Sequence, residues 1–165
     1  MKLYQLNIEV RDTSPTVWRR ICVDANTTLA KLHTILQITM GFHDREQYQY
    51  ISKNLETKLA TLYGDPKTHW RTSDRNSQKT MLFKVLKSKQ DTILYEYGRG
   101  DSWEHRLTLE KITSPQEGVH YPVCIEGQNT VPPDELHTTL QNQTPFDIDA
   151  INQLLLTIKS PKKFH

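Results

Sequence analysis

The side chains best suited to chemistry in this 165-residue sequence crowd into one stretch, residues 95–109, which reads YEYGRGDSWEHRLTL. Asp101, Glu104 and His105 are the residue types that a general acid–base or metal-assisted hydrolase uses. Residues 92–97 and 103–112 read as two strands of a hairpin around Gly98-Arg99-Gly100-Asp101. Side chains alternate along a strand, so Trp103, His105, Leu107 and Leu109 share one face, while Glu104, Arg106 and Thr108 share the other. His105 therefore belongs to the apolar face, and the expectation is a buried histidine satisfied by a tyrosine or a backbone group. Asp101, four residues before it, would lie about 13 Å away along a strand, too far for a hydrogen bond. Glu104 and Arg106, about 6.6 Å apart on one face, suit a surface salt bridge better than a site. Arg99-Gly100-Asp101 reads as a glycine-rich turn.

Metal and nucleotide chemistry find little footing. The seven histidines are scattered, and none is placed in C-x-x-C or H-x-x-x-H spacing. His120 and Cys124 stand four apart, with Asp134 and His137 further on, and a loop gathering them would be a loose zinc site. The common phosphate-loop, dinucleotide and serine-hydrolase motifs do not occur. The residues call for no metal and no cofactor. Cys22 and Cys124, about a hundred residues apart, make no disulfide framework and suit a reducing, cytoplasmic setting.

Charge is more informative. The formal net charge is only +2, but residues 65–89 hold Lys67, Arg71, Arg75, Lys79, Lys84, Lys87 and Lys89 against Asp65 and Asp74. Residues 113–149 hold no Lys or Arg, against Glu117, Glu126, Asp134, Glu135, Asp147 and Asp149. A polyanion should meet the middle of the chain, where Trp70 between His69 and Arg71 could stack a base. The competing expectation is two solvated surfaces of opposite sign that attract each other. A further cation, Arg19 in Trp18-Arg19-Arg20, interrupts an apolar strand face. It calls for a buried carboxylate partner or, alternatively, a phosphate.

The elements that must position these residues follow from periodicity. Tyr4, Leu6, Ile8 and Val10 alternate with polar residues, marking a strand rather than a signal peptide, and residues 17–23 form its hairpin partner across Asp12-Thr13-Ser14-Pro15. Asn26-Thr27-Thr28 can cap a helix with Leu29, Leu32, Leu36 and Met40 on one stripe and Gly41 at its end. Residues 48–52 and 59–63 read as strands, and 64–78 as a long exposed loop. A short helix follows, with Leu82, Val85 and Leu86 inward and Lys84 and Lys87 outward. Residues 121–126 suggest one more short strand. Asp147 caps a last helix with Ile148, Ile151, Leu155 and Ile158 inward, ended by Pro161. The expected fold is α+β, a mixed sheet with helices packed on one face, opening with a ββα unit reminiscent of a ubiquitin-like roll. Residues 1–160 are expected to form a single domain and 161–165 a polar tail. The mean hydropathy of −0.66 and the mixed charges suit a folded domain, and no apolar run is long enough to cross a bilayer.

Several pieces occur in the order in which one family carries them. They are Pro15-Thr16-Val17-Trp18-Arg19-Arg20, Thr28-Leu29-Ala30-Lys31-Leu32-His33 and Met40-Gly41-Phe42. Tyr95-Glu96-Tyr97, Gly100-Asp101-Ser102-Trp103-Glu104-His105 and Tyr121-Pro122-Val123-Cys124 with Gly127 come next. Pro132-Pro133-Asp134-Glu135 and Phe146-Asp147 complete the set. In these the sequence resembles the plasmid-borne third-open-reading-frame-like family first named from a root-inducing plasmid. The resemblance implies a compact α+β fold carried on plasmids, transposons or other mobile elements, and no established activity. The family's His-Leu-His-type segment is here Gln47-Tyr48-Gln49-Tyr50, its Asp-Phe-Gly-Asp turn is Gly98-Arg99-Gly100-Asp101, and Val131 stands where a second cysteine is common. Its usual Gly-Gly is missing near His137-Thr138.

These departures favour a non-enzymatic binding or accessory protein, contacting a protein or nucleic acid through Lys67, Trp70, Arg71, Arg75, Lys79, Lys84 and Lys87. The rival expectations are a metal-assisted hydrolase or nuclease around Asp101, His105 and Cys124, and a phage- or plasmid-encoded inhibitor of a host system.

Overall fold

In the computed structural model, residues 1–42, 47–67, 75–98, 102–131 and 145–160 are described. The period-two stretches all become strands. β1 (Leu3–Val10) and β2 (Trp18–Asp24) form the opening hairpin, and α1 (Leu29–Met40) follows. β3 (Tyr48–Lys53) and β4 (Ala60–Gly64) pair antiparallel. β5 (Arg75–Asn76) joins β4 in parallel, and α2 (Leu82–Val85) comes next. β6 (Thr92–Tyr97) and β7 (Trp103–Thr113) are the second hairpin, followed by β8 (Val123–Gln128) and α3 (Ile148–Leu155). The eight strands make one mixed sheet in the order β5-β4-β3-β6-β7-β1-β2-β8. The expected α+β class is what the chain adopts. The expected exposed loop over 64–78 differs at its end, where Arg75 and Asn76 form an edge strand and Ser77 is buried.

One face of the sheet carries the core. Leu6, Ile8 and Val10 of β1, Ile21 and Val23 of β2, Ile93 and Tyr95 of β6, and Leu107 and Leu109 of β7 meet Leu29, Leu32, Ile35 and Leu36 of α1 in one cluster. Each such aliphatic side chain contributes about 1.5–3 kcal/mol relative to exposure. Leu155 of α3 is buried in the same cluster, with Ile148, Ile151 and Ile158 against it. Thr28 caps α1 by accepting the Lys31 N–H at 3.1 Å, worth about 1 kcal/mol. Gly41 ends the helix at φ 76°, a left-handed conformation that a side chain would strain. Asp147 caps α3 through the N–H groups of Asp149 and Ala150.

The outer edge of β8 is closed by a side chain. The Asn152 amide accepts the Cys124 N–H and donates to the Cys124 carbonyl, both at 2.8 Å, much as a neighbouring strand would. Among the described residues no helix is long and apolar enough to cross a membrane.

Candidate nucleic-acid interface

The hairpin that invited a catalytic reading turns one face of β7 into the core. His105 is fully buried on the core face, as alternation requires. Its Nδ1 lies 3.1 Å from the Tyr95 carbonyl and 3.0 Å from that of Trp103, which assigns the proton to Nδ1. Its Nε2 is buried without a hydrogen bond, and Phe42 and Tyr95 pack on the ring. Burial pushes the imidazole down to about 4, so His105 is neutral near pH 7. Glu104 does not pair with Arg106 but reaches across the sheet to Arg11, 3.0 Å away, because Arg11 follows the strand directly beside β7. Asp101 lies outside the described residues. Cys124, in β8, is separated from β7 by β1 and β2, so three strand spacings of about 4.8 Å each keep it from His105. The two do not share a site. No cluster of three His, Cys, Asp or Glu able to hold a metal exists among the described residues.

A second histidine, passed over in the sequence, sits in a polar knot beneath α1. His33 Nδ1 lies 2.7 Å from the Tyr95 hydroxyl, Gln37 donates to the same oxygen at 2.9 Å, and the His33 ring stacks on Tyr48 at 3.7 Å. Only strand pairing brings Tyr48 and Tyr95 together, so local pattern could not reveal it.

Arg19 lies on the core face, 1% exposed, but its partners correct the expected carboxylate. It donates to the carbonyls of Thr39, Trp18 and Gln128 at 3.2, 2.8 and 3.0 Å, and its guanidinium sits 4.1 Å from the Phe146 ring centre. Burial lowers its affinity for the proton to about 10, while the Cys124 thiol acts in the opposite sense, and the group stays charged. Carbonyl dipoles and a ring face can hold a buried cation without an anion. Arg20, on the opposite face, takes the carboxylates instead. It bonds to Glu110 at 2.8 Å and also to Glu126. The two thiols point to opposite faces of the sheet, since Cys22 faces Val123 and Cys124 faces Ile21 in the register of β2 with β8.

The basic segment has a definite support. Ser77 is fully buried, donates its N–H to Gly64 and accepts the Ala30 N–H through its carbonyl. Thr28 bridges to Met81, Leu82 donates to the Thr27 carbonyl, and Leu82 and Leu86 are fully buried. These anchors run residues 75–89 along the start of α1 and turn Arg75, Lys79, Lys84, Lys87 and Lys89 to solvent. No Asp or Glu occurs from 75 to 90. None of these five cations joins an ion pair among the described residues. Lys67 is exposed just beyond β4, and Trp70 and Arg71 lie outside the described residues.

Acidic Glu126 belongs to β8, at the other edge of the eight-stranded sheet from β5. Seven strand spacings, about 33 Å, separate β5 from β8. That far exceeds the roughly 10 Å screening length, so Arg75 and Glu126 do not neutralise each other.

Beside this ribbon lies a cavity of about 350 Å³ lined by Lys2, Tyr4, Ala25, Asn26, Phe83 and Lys87. The sequence reading missed Lys2, Asn26 and Phe83. Phe83 did carry a signal, being an aromatic off the inward stripe of Leu82, Val85 and Leu86 and next to lysine. Lys2 and Asn26 carried none, because only the folded sheet end gathers them.

The sequence matches the family model described as "Plasmid pRiA4b ORF-3-like protein" over residues 2–147. It is similar to "Uncharacterized protein y4hQ" of Sinorhizobium fredii (strain NBRC 101917 / NGR234), with 27% identity over 136 residues. That match takes in 80% of this chain but 65% of the relative, so the chain spans less than two thirds of that protein. Its fold is similar to the crystal structure of a protein of unknown function, MM3350, from Methanosarcina mazei Go1. The TM-score is 0.70 at 29% identity, over 81% of this chain and 74% of the other.

Proposed function

The chain belongs to the plasmid pRiA4b ORF-3-like family, and from that premise we propose that it is a non-enzymatic accessory protein of a mobile element that binds nucleic acid through the ribbon 75–89. The observation that carries this reading is five outward cations, Arg75, Lys79, Lys84, Lys87 and Lys89, on a segment without a carboxylate. Cations left unpaired on an anchored segment concentrate positive potential that attracts a phosphate backbone. In the sequence, Lys67, Trp70 and Arg71 precede the ribbon with groups of the same chemistry.

Fluorescence anisotropy of a labelled oligonucleotide, read between about 50 and 200 mM salt, tests the proposal. Counterion release predicts that log K falls linearly with log salt, by about 0.7 per phosphate contact on a single strand and about 0.9 on duplex. Absent or salt-insensitive binding contradicts the proposal and leaves the ribbon for an acidic protein surface.

A further inference from the structure

The cavity beside the ribbon gathers four groups that can meet a ligand. The Lys2 and Lys87 ammonium groups make no ion pair, and the Asn26 side-chain amide makes no hydrogen bond among the described residues. The Phe83 ring is 36% exposed, with the Lys84 ammonium 5.1 Å from its centre. The carboxylates next to these residues in sequence, Asp24 and Asp91, do not line the cavity and accept backbone N–H groups. Asp24 accepts the Asn26 N–H at 2.9 Å, and Asp91 accepts those of Lys87 and Ser88 at 2.8 and 2.9 Å. Neither carboxylate forms an ion pair with Lys2 or Lys87. An aromatic face, an amide that both donates and accepts, and two cations are the complement of a base joined to a phosphate. The volume, about 350 Å³, lies near the lower end of small-molecule sites, roughly 300–1,000 Å³. That volume suits one base.

We propose that this cavity seats one nucleotide unit of a single strand, with its base on Phe83, its base edge at Asn26 and its phosphate met by Lys2 and Lys87. The inference rests on the nucleic-acid reading of the ribbon and narrows it to single strands, since a paired base would have to leave its stack to enter.

Anisotropy with a short deoxythymidine strand and with a duplex of equal length separates the two claims. The protein should prefer the single strand. Phe83→Leu keeps an apolar side chain of similar size but removes the ring face, so it should weaken single-strand binding about tenfold and reduce the preference over duplex. Lys2→Ala should weaken single-strand binding and make the salt dependence shallower by about 0.7. Phe83→Leu binding the single strand as tightly as wild type overturns the cavity while leaving the ribbon standing. Equal affinity for strand and duplex does the same. If neither probe binds, both readings fall.

Discussion

Acidification from pH 7 to pH 5 should destabilise this protein through the buried side chain of His105, over and above its other titrating groups. The folded imidazole is held down to about 4 by burial, against an ordinary 6.5. Above pH 6.5 it is neutral in both folded and unfolded states and contributes no pH dependence. Below that the unfolded chain takes a proton that the folded chain refuses, so stability falls with pH until about pH 4. Linkage over this interval gives a loss of about 2 kcal/mol at pH 5 and about 3 kcal/mol at its limit. The structural cause is specific. Nδ1–H is committed to the Tyr95 and Trp103 carbonyls, and a proton on Nε2 would be buried without an acceptor.

His105→Asn keeps a donor for those carbonyls but cannot titrate. Urea unfolding followed by tryptophan fluorescence, at pH 7 and pH 5, gives the comparison. The variant should be less stable at pH 7, yet lose about 2 kcal/mol less than wild type on going to pH 5. Other titrating groups are common to both proteins and cancel in the difference. Equal losses in the two proteins would refute the reasoning and mean that the folded state protonates His105 at no cost.

Gly127→Ala should cost about 1–3 kcal/mol in thermal or urea unfolding. A Cβ there would come within 2.9 Å of the Trp18 carbonyl, the Arg19 side chain and the Phe146 ring, and the carbonyl is backbone that cannot swing away. An unchanged midpoint would mean that the Arg19 and Phe146 packing is looser than described. Asn152→Ala removes both bonds to Cys124 and opens the edge of β8. It should lower stability by about 1–2 kcal/mol and promote self-association in light scattering. A stable, monomeric variant would show that the edge needs no cover.

What was legible in the sequence was what local periodicity encodes. Alternation placed β1, β2, β6 and β7, put His105 and Arg19 on the core face, and turned Arg20 away. Thr28, Gly41 and Asp147 marked helix ends through capping chemistry that acts within a few residues. What was not legible depends on contacts between distant strands. The partners of Arg19 come from α1, from β2 itself and from the end of β8, so alternation could place its side chain inside without naming what receives it. Glu104 finds Arg11 only because β7 lies beside β1, and the closure of β8 by Asn152 appears only once α3 packs there. The proposed site divides the same way. Lys79, Lys84 and Lys87 were visible as a charge run, whereas the cavity formed by Lys2, Asn26 and Phe83 exists only where β1, β2 and α2 meet.

The central claim is that the 75–89 ribbon carries nucleic-acid binding, and its salt slope is the most direct test. Arg75, Lys79, Lys84 and Lys87 are all exposed, so replacing the four with alanine should leave the fold intact by circular dichroism. Against a single-stranded oligonucleotide, the combined variant should bind more weakly, with a log K against log salt slope shallower by about 3 than wild type. An unchanged slope would contradict the claim and place the phosphate contacts elsewhere on the molecule.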